Sequence, residues 1–284
     1  MNTDKGQRDG FLFLKQVEGT DGVVQTVCRA EKHPLNPLLP LGDVHEWDSA
    51  HCAPWSSQSV IYDAEERIFK AWYAGSDMKL NKWWATGYAI SEDGVSWHKP
   101  VLGLHEYNGS SQNNIVHLGR GPVIKDTDEP DEARRYKGIR RIQGVTGEPE
   151  YSEYGARAVF SPDGIHWTDG AKIDPPEWGG RPPDVGVLVR DDQDPDPSRR
   201  FKTVCQEMVH IDAPHLKQQA VSERHHHKGR AKFLLYGPDT ENFRYADVNP
   251  LISPNDGPLG EEEVHHVMMS PYRGDWIMTY EYGW

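Results

Sequence analysis

Disulfide chemistry, helical periodicity and positive charge are all scarce in this chain. Its three cysteines, Cys28, Cys52 and Cys205, are odd in number and share no paired spacing, which excludes a disulfide framework. No apolar run is long enough to cross a bilayer, and no signal-peptide pattern opens the sequence. The default expectation is therefore a soluble protein of a reducing compartment, the cytoplasm. A formal net charge of −13 denies the surface the basic potential that nucleic acid and anionic membranes require. Long helical periodicity is missing as well, and proline and glycine punctuate the whole length.

What the chain has instead is repetition. Val60-Ile61-Tyr62-Asp63 leads through an acidic turn to Arg67-Ile68-Phe69-Lys70. The pattern returns as Val123-Ile124-Lys125-Asp126 with Arg135-Tyr136-Lys137, and as Leu188-Val189-Arg190-Asp191 with Arg200-Phe201-Lys202. The period is about 65 residues. A second element keeps step: Ser91-Glu92-Asp93-Gly94-Val95-Ser96-Trp97 is matched by Ser161-Pro162-Asp163-Gly164-Ile165-His166-Trp167, and more loosely by Gly237-Pro238-Asp239-Thr240-Glu241-Asn242-Phe243.

Each unit reads as an apolar strand ending in Asp, a polar turn and an apolar-aromatic strand such as Phe69 to Gly75. A third strand follows, Gly87–Ile90 or Ala156–Phe160, and then a Ser-x-Asp-Gly-x-x-Trp turn whose Trp returns on a fourth strand. Four antiparallel strands per unit predict an all-β fold, a β-propeller with units starting near residues 58, 121, 185 and 264 of a single domain spanning 1–284. The fourth unit stops one hairpin in, at Trp284. N-terminal strands at Phe11–Leu14 and Val23–Val27 could close a blade. The expectation is nonetheless a propeller of the five-bladed type truncated in blade four. Its aromatic C-terminal hairpin would then be an edge inclined to self-association. Asp93 and Asp163 are expected to be structural turn residues.

The Ser-x-Asp-Gly-x-x-Trp turns, the strand-Asp-turn-Arg-x-Phe-Lys hairpins and Gly103-Leu104 to Glu106-Tyr107-Asn108-Gly109 resemble the five-bladed propeller glycoside hydrolases, the relatives of families 32, 43 and 68. The resemblance covers most of the chain from about Glu31. The Trp-Met-Asn-Asp-Pro-Asn-Gly signature of β-fructosidases is absent, and so is a plain Arg-Asp-Pro. The resemblance implies a glycosidase acting on an oligo- or polysaccharide, with a carbohydrate as its partner and no cofactor or metal. It also implies a substrate funnel lined by the first strand of each blade and the loop before it.

Glycoside hydrolysis needs two facing carboxyl groups, and in a propeller they come from different blades. Before blade one stands Asp48, the candidate nucleophile or base, with His51 and Trp55 as sugar contacts. Before blade three stands Asp184, with Arg181 as its local partner. Before blade four, Glu261, Glu262 and Glu263 repel one another, which raises a pKa as a general acid requires. Glu263 is the candidate, with His265 and His266 beside it, and Glu207, in a mostly apolar strand, is the rival acid. Blade two offers no acid at this place but Asn113, Asn114, His117 and Arg120, suited to hydroxyl or carboxylate recognition. His225-His226-His227 lacks ligand partners at metal spacing and reads as a charged loop. The acidic turns at Asp126–Glu132 and Asp191–Asp196 read as solvated hairpin tips. The alternative function is a non-catalytic propeller that binds carbohydrate or protein.

Overall fold

The computed structural model describes residues 31–54, 59–77, 84–142, 155–173, 184–210, 228–253, 263–272 and 275–283. The chain divides into two compact units, Met1–Asn36 and Pro37–Trp284, and all the described strands lie in the second. The N-terminal strands, Trp55, Arg181 and the triple histidine fall outside the described residues.

The architecture is all-β and propeller-type. In blade one, β1 (His51–Pro54) and β2 (Val60–Asp63) run in succession along one side of β3 (Ile68–Ser76). Pairings from His51↔Ser76 to Asp63↔Ile68 make them two halves of a single first strand. Next come β4 (Ala85–Ser91) and β5 (Ile115–Leu118). Blade two is an antiparallel meander of β6 (Val123–Lys125), β7 (Tyr136–Ile142), β8 (Gly155–Ser161) and β9 (Thr168–Ile173). Blade three repeats it with β10 (Asp184–Arg190), β11 (Phe201–His210), β12 (Lys228–Gly237) and the short β13 (Arg244–Tyr245). The fourth unit is the hairpin β14 (Glu263–Tyr272) and β15 (Asp275–Gly283), whose start meets β12 in a parallel pair, Arg230↔Glu263.

The core lies between the blades, because alternate residues of each strand face opposite neighbours. Trp72, Tyr88 and Val116 of blade one meet Val123 and Tyr136 of blade two. Ile139, Ala158 and Phe160 of blade two meet Val185, Leu188 and Phe201 of blade three. Val187, Val189 and Val204 continue to Met269, Trp276 and Met278 of the fourth unit.

The aspartates that end the first strands are not solvated turn residues. Each is buried, takes an ammonium group from its own blade and is completed by the next blade. Asp63 accepts Lys70 of its own second strand (3.1 Å), Lys125 from blade two (2.8 Å) and the Tyr136 hydroxyl (2.6 Å). Asp126 pairs with Lys137 (3.5 Å) and with Arg190 of blade three. Asp191 pairs with Lys202 (2.7 Å) and accepts the Trp276 indole N–H of the fourth unit (2.9 Å). Beyond each of the latter two, the acidic turns bend into 3₁₀ turns capped by the side chains of Asp131 and Asp196.

The Ser-x-Asp-Gly-x-x-Trp turns are closed from within. Asp163 Oδ1 accepts the amides of Ile165 and His166, both at 2.8 Å, and Asp93 does the same for Val95 and Ser96. Gly164 at φ +82° offers its carbonyl to Trp167 Nε1 and, across the blade boundary, to Trp72 Nε1 (2.7 Å). The fourth strand departs from expectation in blade one. Trp167 leads straight into β9, but after Trp97 only His98 bridges back to Ile90, and the fourth strand waits until Ile115. The intervening loop carries a turn at Tyr107–Ser110 and helps build the site.

Candidate functional site

First strands start, and second strands finish, at one end of each blade. In blade one this end holds Asp48, three residues before β1. The segment leading to it lies across the sheet: Trp47 stacks on Tyr73 (centroids 5.6 Å, 24°) above Gly75 and Gly87, where any Cβ would overlap the indole. Asp48 is thereby pressed inward to 2% exposure.

A buried carboxylate needs partners, and Asp48 finds them in Lys99, Tyr73 and the Cys52 side chain. Its Oδ2 accepts Lys99 Nζ (2.6 Å) and the Tyr73 hydroxyl (2.8 Å). Burial, reinforced by the charge of Asp48, pushes the Tyr73 phenol far above its ordinary range, so it remains a donor. Asn114 fixes the same hydroxyl (2.7 Å), bonds the Tyr88 carbonyl (2.8 Å) and accepts Trp47 Nε1 (3.0 Å). Lys99 also bonds the Pro40 carbonyl (2.7 Å). Above this network opens a cleft of about 220 Å³, lined among others by Glu46, Asp48, Lys99, Tyr107, Gln112 and Asn114. Tyr107 closes its edge, donating to the buried carboxylate of Asp77 at the end of β3.

A second group adjoins β1. His51 meets the Trp84 indole edge-on (4.7 Å), and the Arg120 guanidinium lies over the same indole at 4.4 Å. Burial, then the Arg120 charge, push the His51 imidazole below its usual range, so it is neutral at pH 7. Arg120 is held by its glycine flanks as the chain crosses from β5 to β6. Gly119 sits at φ +91°, and a Cβ on Gly119 or Gly121 would run into the carbonyl of Arg141 or Ile139 on β7. That close approach lets Arg120 exchange both backbone hydrogen bonds with Arg141 (3.3 and 2.8 Å).

Thus His51 and Arg120 meet around Trp84, and Asp48 and Asn114 meet around Tyr73. Asp184 and Glu263 each begin a first strand, β10 and β14, and His265 and His266 follow along β14. Glu207 bonds the Tyr245 hydroxyl on β13, the strand of blade three farthest from β10. His117 is buried edge-on against Trp167 (5.6 Å). Sequence reasoning missed Lys99, Tyr73, Trp84 and the Asp77–Tyr107 pair. Only the glycines around Arg120 were a readable signal.

The sequence matches no protein-family model and no curated protein. Structural likeness is found. A solved glycoside hydrolase, 12% identical, superposes over 85% of this chain and 67% of its own with a TM-score of 0.54. A solved RGII complex, 11% identical, is matched over 83% of this chain and 68% of the other at a TM-score of 0.50. An N-acetylgalactosamine deacetylase from F. plautii, solved with blood group B trisaccharide, is 18% identical over 78% of this chain at 0.45, and the chain spans 61% of its length. The likeness is one of fold: this chain has the propeller-type architecture also seen in a solved glycoside hydrolase.

Proposed function

We propose that the protein is a glycosidase that cleaves an oligo- or polysaccharide between carboxyl groups supplied by different blades. The observation that carries this reading is Asp48, an almost fully buried carboxylate on the floor of a cleft at the mouth of blade one's first strand. Its ion pair with Lys99 suits a nucleophile or base, a group that must act as an anion. Asp184 and Glu263 open the first strands of blades three and four, the corresponding places. Glu263 is assigned the acid that protonates the leaving oxygen. Glu207, bonded to Tyr245 on the far side of its blade, is the lesser candidate. Asp184 then stabilises the positive charge that develops on the sugar ring.

The experiment is a panel of aryl glycosides assayed with the wild type, Asp48→Asn, Asp184→Asn and Glu263→Gln. Hydrolysis by the wild type and its loss in folded Asp48→Asn support the reading. Full activity in Asp48→Asn overturns it. One observation favours the non-catalytic alternative: Asp48 Oδ2 already holds two donors, as a purely structural carboxylate would. Carbohydrate binding without release of reducing sugar from any substrate would establish that alternative.

A further inference from the structure

The charges that line the cleft above Asp48 do not cancel. Among the described residues there, Lys99 is the one lysine or arginine. Its ammonium group already bonds Asp48 Oδ2 (2.6 Å), the Pro40 carbonyl (2.7 Å) and the Cys52 side chain. That cation is therefore matched by the carboxylate on the cleft floor. Glu46, exposed on the same cleft, has no cation partner among the described residues. Its Oε2 accepts the Asp43 amide (2.7 Å), which fixes the carboxylate and leaves Oε1 open to a ligand. Gly42 shows how near this group stands to Asp48: a Cβ there would run into Glu46 Oε2 and Asp48 Oδ1 together.

Resting on the glycosidase reading, we infer that Glu46 is a specificity-determining residue and that the sugar unit bound beside Asp48 is a neutral one. The open carboxylate oxygen accepts a ring hydroxyl in a charge-assisted hydrogen bond. A uronic acid would instead bring its own carboxylate against an anion that no cation offsets, where like charges repel. The Gln112 amide, exposed on the same cleft, can both donate to and accept from further hydroxyls. Pro100 and Val101, the latter 60% exposed, give apolar surface to the C–H face of the ring.

Binding can be measured by calorimetry with methyl glucoside and methyl galactoside against glucuronate and galacturonate, for the wild type, Glu46→Gln and Glu46→Asp, with melting curves to verify folding. The wild type should bind a neutral sugar at least about 10-fold more tightly than its uronate, the scale of one charge-assisted hydrogen bond. Added salt should narrow that gap by screening the repulsion. Glu46→Gln, whose amide oxygen can still accept the Asp43 N–H, should weaken neutral-sugar binding and shrink the gap about 10-fold. Glu46→Asp keeps the charge on a shorter arm and should go on excluding uronates. No binding of any of the four sugars, equal binding of neutral and acidic sugars by the wild type, or an unchanged gap in Glu46→Gln overturns the inference. A Glu46-dependent preference without hydrolysis of any glycoside would leave it standing and remove the glycosidase reading instead. Hydrolysis of a uronide by the wild type would do the reverse.

Discussion

The Tyr136 hydroxyl, the first side chain of blade two's second strand, donates at 2.6 Å to Asp63, the last side chain of blade one's first strand. The two are 73 residues apart in sequence. Burial alone would raise the Asp63 carboxyl, but hydrogen bonds from Lys125, Tyr136 and Lys70 outweigh it and hold the group well below the usual carboxylate range. Tyr136→Phe should cost about 1 kcal/mol, one hydrogen bond. Asp63→Asn should cost more, about 3 kcal/mol, because it removes the buried counter-charge that Lys70 and Lys125 share and leaves them only the exposed Glu66 and Glu65. Denaturant unfolding of both variants measures the gap. Equal losses would mean that the ion pairs contribute nothing.

His117 weakens the protein in mildly acid solution. Burial, then the Arg140 charge, push its pKa down from 6.5 to about 3. The unfolded chain therefore binds a proton that the folded chain refuses. The stabilisation is complete above pH 6.5 and is lost as pH falls through that value towards the folded pKa. The loss from this group alone is up to about 1.4 kcal/mol per pH unit. Asp63 acts in the same direction, but only below about pH 4, where an unfolded aspartate gains its proton. Melting temperatures between pH 7 and 4.5 should thus decline less in His117→Asn than in the wild type.

The turn at Asp163 separates local from between-blade stabilisation. Asp163→Ala removes the acceptor of two turn amides and should cost about 1 kcal/mol, near the low end because the carboxylate is 42% exposed. Gly164→Ala meets a left-handed backbone and the Trp72 ring together and should cost about 2–4 kcal/mol. Both should keep full activity per folded molecule. A drop in kcat at unchanged melting temperature would move this turn into the site.

Asp48→Asn should lower kcat by roughly 10²–10⁴-fold, the usual scale for a displaced catalytic acid or base. The amide oxygen can still accept from Tyr73 and Lys99, so the fold should persist. Circular dichroism and steady-state rates on one preparation check both halves. A variant that melts early yet turns over normally would mark Asp48 as structural.

Local chemistry explains which parts of this molecule could be read from its sequence. Strand pattern, the turn residues Asp93-Gly94 and Asp163-Gly164, and the recurrence of both at one period predict all-β blades, because each signal is confined to a few neighbouring residues. The blade-one loop from Lys99 to Asn114 broke the count, since Trp97 carries the turn signature without the strand that follows Trp167. The partners of Asp48 were hidden for a different reason. Tyr73 and Lys99 lie 25 and 51 residues from Asp48 with no local signal joining them, and only the crossing of Trp47 over the sheet brings both to one carboxylate. The aspartates of the repeat were legible as a motif but not as a contact, because Asp63, Asp126 and Asp191 are each completed by residues some 60–85 positions downstream.

Those aspartates give the array a polarity. Lys125 and Tyr136 reach back to Asp63, Arg190 reaches back to Asp126, and Trp276 reaches back to Asp191. Register then puts Tyr272 and Ile277 of the fourth unit where the aspartate and the lysine would stand, so the series of charges stops there. A lesion in one blade should accordingly be felt mainly upstream: Arg190→Ala frays blade two before blade three, and damage at Asp63 leaves the later latches intact. Hydrogen exchange would show such a molecule loosening from its point of injury towards its beginning, in the order opposite to that in which the chain is synthesised.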